Sequence, residues 1–197
     1  MTRLSLLAAL LWAAAPSAQV VYGDPVPQAS ASFETADGSR TSLEAAAGPA
    51  GLVVVFWSNA CPWTDRYTPR LADLVARYTP AGVGFVLVNS GDPAVSPREA
   101  PATSRETATT AGLAVPYLAD TGGALAAAFG ARSTPHAFFF GPDGALRYDG
   151  TIDDSPASAD RVRTPYLAQA MDQSVAGLPI EVQRTQAFGC TVKRSAP

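Results

Sequence analysis

The chain has 197 residues, enough for one domain to bury a core without metal or disulfide staples. Its 14 basic and 17 acidic side chains leave a net charge of −3, a balance that excludes nucleic acid and anionic membrane surfaces as the partners its charge would select. Two cysteines are too few for a disulfide framework, so any sulfur chemistry rests on Cys61 and Cys190.

The opening MTRLSLLAALLWAAAPSA carries one basic residue, Arg3, then an apolar run too short to span a bilayer, then small residues at Ser17 and Ala18. That order predicts a secretory signal peptide over residues 1–18, and hence an exported, periplasmic or extracellular protein with no membrane attachment after cleavage. Its removal takes away Arg3 alone, leaving 13 basic against 17 acidic side chains and a charge of −4. In an oxidising compartment a disulfide persists and a lone thiol is conspicuous.

Residues 19–30, with prolines at 25 and 27, read as an extended lead-in. FETADGSRTSL places an Asp-Gly turn signal between two short runs, which predicts a hairpin. GLVVVFWS is an unbroken β-branched and aromatic run, as expected of a central strand buried on both faces. Tyr67, Leu71, Leu74 and Tyr78 then recur at helical spacing, predicting a helix over Pro62 to Tyr78 with one apolar stripe. GVGFVLVNS is a second buried strand. A helix over Arg98 to Ala111, a short strand at VPYLAD and a helix at GALAAAFG follow. HAFFFGPDGALRYDG reads as two strands about an Asp-Gly turn; TIDDSPASAD, with Asp153 and Asp154, reads as a solvated acidic loop. Thr164-Pro165 reads as the N-cap and first residue of a last helix. The class is α/β with a central mixed sheet flanked by helices, one domain over residues 31–176 and an irregular, flexible tail over 177–197 that carries Cys190.

Cys61 falls where a buried strand ends and a helix begins, with Pro62 as first helical residue. Helix N-termini present unpaired N–H groups and about half a positive charge, and can lower a cysteine pKa from about 8.5 to between roughly 3.5 and 7.5. This favours a nucleophilic thiolate over a merely buried thiol. Thr64, three residues on, either donates a hydrogen bond back to the sulfur or is a solvated first-turn residue.

VFWSNACPWTDRYTP resembles the thioredoxin active-site segment, with Phe56, Trp57, Cys61, Thr64 and Pro69 at the matching spacings. GARSTPHAFFF resembles the segment in which thioredoxin-like proteins carry a cis-proline facing the catalytic sulfur. The resemblance makes Thr134-Pro135 that pair, with the Thr134 backbone aligning a substrate's sulfur. An extra segment over about 91–120, before the cis-Pro segment, places the chain near the redoxin (AhpC/TSA-like) branch, which includes secreted thiol-disulfide proteins and peroxiredoxins. NACPW, RYDGTIDD and the closing GCTVKR also resemble exported bacterial redoxin-domain proteins. The resemblance covers roughly residues 30 to 194.

Three departures shape what it implies. Thr64 stands where dithiol thioredoxins have a second cysteine, and Val55 where they often bury an acid. Peroxiredoxins carry a proline seven before their cysteine, where this chain has Val54, and a threonine or serine three before it, which Ser58 supplies. Their substrate arginine aligns near Pro135, leaving Arg132 or Arg147 as its substitutes.

Cys190 is the other sulfur able to resolve a mixed disulfide or sulfenic acid on Cys61. A permanent Cys61–Cys190 bond is the rival, worth about 4 to 5 kcal/mol in the chain-entropy model. His136 with both thiols would suit copper or zinc, against the plainer reading of an exposed strand-edge histidine. The expected function is an exported thiol-disulfide oxidoreductase acting on protein or small-molecule thiols and disulfides, using Cys61, Cys190, Thr64, Thr134 and Pro135 and needing neither cofactor nor metal. The alternatives are a peroxiredoxin-like thiol peroxidase, with peroxides as substrates, and a non-catalytic binding or copper-handling module with a static disulfide.

Overall fold

The computed structural model describes residues 19–192; the expected signal peptide over 1–18 lies outside the described residues. In chain order, β1 (Phe33–Glu34) and β2 (Arg40–Thr41) pair antiparallel, and α1 (Leu43–Ala46) follows, capped by the Ser42 hydroxyl. Gly38 sits in the hairpin turn at φ +85°, a conformation other residues resist. Then come β3 (Gly51–Trp57), α2 (Pro62–Tyr78), β4 (Val83–Asn89), α3 (Pro101–Thr110), β5 (Tyr117–Ala119) and α4 (Ala124–Phe129). The chain continues through β6 (Ser133–Thr134), β7 (His136–Phe140), β8 (Leu146–Gly150), α5 (Tyr166–Val175) and β9 (Cys190–Thr191).

Five strands form a mixed sheet in the order β5-β4-β3-β7-β8. β3 runs parallel to β4 and antiparallel to β7, so it is central, and all seven of its residues are buried. Alternation sends Val53, Val55 and Trp57 to one face, against Tyr67 and Leu71 of α2 and Leu167 and Met171 of α5. Leu52, Val54 and Phe56 face the other way, against Leu43, Phe129, Phe138 and Phe140. Each such side chain contributes roughly 1.5–3 kcal/mol by leaving water. Burial on both faces explains why the run lacks polar alternation, and it fixes the strand whose end delivers Cys61.

The helix expected from Arg98 to Ala111 is divided. A 3₁₀ turn, Pro97–Glu99, precedes α3, because Pro101 lacks an N–H and forces Ala100 out of helical geometry to ψ 147°. Thr164 is not the cap of α5. Pro165 takes that place at ψ 74°, while the Thr164 carbonyl accepts from the Asp154 N–H at 3.2 Å and stays in the preceding loop.

Asp153 is not solvated. It is buried, accepts from the Arg70 guanidinium at 2.6 Å and from the Tyr67 hydroxyl at 3.2 Å, and pins α2 to the loop after β8. Arg70→Met strands that carboxylate, and we expect a loss of about 3 kcal/mol in denaturant unfolding. A loss near zero would mean that water, not Arg70, satisfies Asp153.

Both ends of the described chain are fastened. The lead-in pairs Pro25 with Ala145, just before β8, and exchanges backbone hydrogen bonds with Leu146 at the start of that strand, with Val20 buried. The tail, expected to be irregular and flexible, is tied along its length. Arg184 grips Asp149 of β8 through three contacts of 2.7–3.1 Å, Thr185 bonds to Tyr148 and Thr151, and Ile180 and Val192 are buried. Among the described residues no helix is long and apolar enough to cross a membrane.

Candidate active site at the start of the second long helix

β3 ends at Trp57, and four residues later Cys61 caps α2 with extended geometry (φ −91°, ψ 119°) and Pro62 behind it. The intervening loop is held by buried polar groups. The Glu99 carboxylate accepts from the Ser58 hydroxyl at 2.5 Å and the Asn59 N–H at 3.0 Å, and the Asn59 side chain bonds to Ser104 and Tyr117 at 2.8 Å. The Thr64 hydroxyl is fully buried and faces two carbonyls, Cys61 at 2.5 Å and Ser58 at 2.6 Å. It therefore neither donates to the sulfur nor meets solvent. It locks the turn from which the sulfur projects.

Thr134-Pro135 is cis and both residues are buried. The Cys61 thiol donates to the Thr134 carbonyl at 3.1 Å. β9 then pairs antiparallel with β6, placing Cys190 opposite Thr134 in register, and the Val192 N–H reaches the Arg132 carbonyl at 3.0 Å. Gly189 is needed for this approach: a Cβ there would fall inside the Thr134 carbonyl. The structure holds both cysteines as thiols, Cys61 1% exposed and Cys190 half-buried. They share a cavity of about 260 Å³ with Ser58, Glu99 and Thr134 on its walls.

Burial pushes the Cys61 thiol up, but the hydrogen-bonding groups facing it more than reverse this. They are the Cys190 thiol, the Thr134 side chain, and the backbone N–H groups of Cys190 and Trp63. The thiol is held below its ordinary value, and half of the donors that lower it come from the tail. Sequence reasoning named the helix N-terminus for this effect and missed the tail's share.

Glu99 was also missed. An acid between prolines in a polar loop gives no local sign of burial. Neither Arg132 nor Arg147 lines the cavity, and Arg147 is paired with Asp143, so the peroxiredoxin arginine has no substitute there. His136 is not on an edge: β7 lies between β3 and β8, and the imidazole stacks on Phe138 at 4.3 Å with Nδ1 unbonded. Among the described residues no three His, Cys, Asp or Glu side chains gather as a metal site.

Burial, opposed by Asp149 and reinforced by Arg184 and Arg132, lowers the His136 pKa to about 4. The unfolded chain protonates near 6.5, so it binds more protons between those values and stability falls as pH drops through that window. The expected loss is about 3 kcal/mol from pH 6.5 to 4. Denaturant midpoints of wild type and His136→Phe test it: the variant should lose this part of the slope, and parallel profiles would refute the assignment.

A family model described as AhpC/TSA family matches residues 22–149. The chain belongs to the AhpC/TSA family. Among solved structures, this AhpC/TSA protein is similar to an uncharacterized conserved protein from Geobacillus kaustophilus at 29% identity, covering 91% of this chain and 95% of that one, with a TM-score of 0.84. It is equally like a hypothetical protein from Sinorhizobium meliloti 1021, at 27% identity, 92% and 98% coverage and a TM-score of 0.83. A secreted disulfide oxidoreductase of Mycobacterium tuberculosis, described as homologous to E. coli DsbE, shares the fold at 18% identity, 60% and 81% coverage and a TM-score of 0.51. No curated protein matches. The fold is thioredoxin-like and the branch is the redoxin one, as the motifs around Cys61 and Pro135 imply.

Proposed function

We infer that the protein is an exported thiol-disulfide oxidoreductase in which Cys61 attacks and Cys190 resolves. One observation carries the reading: β6 and β9 bring a cysteine 129 positions away in sequence, from 61 to 190, to the sulfur at the N-terminus of α2. The Cys61 thiolate attacks a substrate disulfide, forming one S–S bond while the other substrate sulfur leaves as a thiolate and takes a proton. The Cys190 thiolate then attacks the Cys61 sulfur and expels the remaining substrate sulfur. The substrate gains two electrons and the cysteine pair loses them. Run in reverse, the same steps oxidise a dithiol, and the relative potentials set the direction. The leader-like segment over 1–18 supports export, a compartment where such exchange has partners.

The thiol peroxidase reading draws support from family membership. Against it, neither Arg132 nor Arg147 lines the Cys61 cavity, and the Ser58 hydroxyl already donates to Glu99. Alkylation of Cys61 against pH, with Cys190 present as a thiol, tests the active thiol. The rate should level off below the ordinary thiol value of about 8.5. A profile that titrates at or above that value removes the basis for attack by Cys61.

A further inference from the structure

β6 has two residues, and its one strand partner among the described residues is β9. Without β9 its backbone groups form an open edge beside the Cys61 sulfur, and such edges recruit extended segments. The tail shows what this edge accepts. Its sulfur faces Cys61, its glycine lies against the Thr134 carbonyl, and two residues before the cysteine the Phe188 ring packs edge-on against Trp63, with centroids 4.8 Å apart. Trp63 and Phe188 also border a groove of about 500 Å³ that runs on to Tyr166 and Pro156, with room for the residues preceding the aromatic. Phe188 stays 47% exposed, so one ring face holds the latch, and the tail's firm anchor is upstream at Arg184 and Thr185.

We propose that the β6 edge beside Cys61 is a docking site for an extended segment of a client protein carrying aromatic-Gly-Cys, and that residues 188–190 are a tethered copy of that ligand. The inference rests on the oxidoreductase reading and names its substrate class. The client's strand displaces β9, and Cys61 attacks the client's sulfur as its disulfide partner leaves as a thiolate. The returning tail brings the Cys190 thiolate onto the Cys61 sulfur and expels the client cysteine as a thiolate, which solvent protonates. Retaking the β6 edge evicts the client strand in the same movement. Sulfur exchange and strand exchange are one event.

The test uses the reduced protein and the peptide Gln-Ala-Phe-Gly-Cys-Thr-Val, its cysteine in mixed disulfide with 5-thio-2-nitrobenzoate, whose release reports attack by Cys61. N-acetylcysteine in the same mixed disulfide is the small reference. Replacing the peptide's Phe with Ala should slow release about fivefold, and replacing its Gly with Ala about tenfold or more. In Gly189→Ala protein, whose own tail is undocked, the peptide-to-reference rate ratio should rise about tenfold. Phe188→Ala, which leaves the backbone untouched, should move the ratio the same way and serves if the first variant misfolds. Three peptides reacting within twofold of one another, while the reference reacts, overturn the docking site and leave the oxidoreductase reading standing. Failure of the reference to react at Cys61 overturns both.

Discussion

Gly189→Ala should slow closure of the Cys61–Cys190 bond about a hundredfold, although both sulfurs remain. The methyl group cannot coexist with the Thr134 carbonyl, and φ +157° at this position already suits glycine best. The β6–β9 ladder therefore parts, and Cys190 becomes a group on a short tether. A docked, oriented neighbour reacts at a far higher effective concentration than a flexible tether supplies, which is of millimolar order. Undocking acts on the Cys61 thiol in two opposed ways: it relieves the burial that pushes the thiol up and removes the Cys190 thiol and N–H, two of the four donors that hold it down. Rapid-quench thiol trapping after a single oxidising pulse reads the closure rate. If closure is as fast as in wild type, the ladder does not deliver Cys190.

Cys190→Ser should convert a transient species on Cys61 into an end point. With a disulfide substrate the variant accumulates one mixed disulfide per chain and stops, turnover falling at least about a thousandfold, because a hydroxyl in place of the resolving thiol offers no thiolate to expel the substrate's sulfur. With a hydroperoxide, the peroxidase reading predicts a sulfenic acid on Cys61 at a rate well above that of a free thiol. Mass spectrometry of the intact chain separates the two adducts. A static bond predicts neither. There the wild-type disulfide resists strong reductant until the protein unfolds, and the variant loses several kcal/mol of stability with unchanged sulfur reactivity. The tail argues for the labile outcome, since Arg184, Thr185 and Ile180 fasten it without any help from sulfur.

What the sequence made legible was short-range. The buried run of β3, the stripe of α2 ending at Tyr78, Pro62 behind Cys61, and the Asp-Gly turns are each written within a few consecutive residues, and the structure keeps them. What it hid lies in contacts between distant residues. Glu99 meets Ser58 across 41 positions and Asp153 meets Arg70 across 83, so neither acid's burial has a local mark. Thr64 is legible as a first-turn residue that bonds either to the sulfur or to solvent, and the structure gives it neither, because a hydroxyl at a helix start also has two carbonyls within reach and the loop geometry decides. His136 was misplaced because the single strand HAFFF does not reveal that both its neighbours are filled. The tail is legible in its sulfur and not in its path: Cys190 is expected at Cys61, but GCT carries no pattern announcing a strand partner at Thr134.

The distance along the chain between the two sulfurs also bears on the protein's early life. A pair of cysteines within one helical turn can oxidise on a nascent segment before anything has folded. Here the second sulfur leaves the ribosome after every helix and sheet strand already described, and it reaches the first only by laying β9 on β6. On the proposed oxidoreductase mechanism, a polypeptide caught half-made carries an attacking thiol without its resolver. Any mixed disulfide it forms stays in place, a covalent handle on an unfinished molecule, until the last turn of the tail arrives to clear it. On that mechanism, competence for turnover certifies that the chain has been made and folded as far as β9.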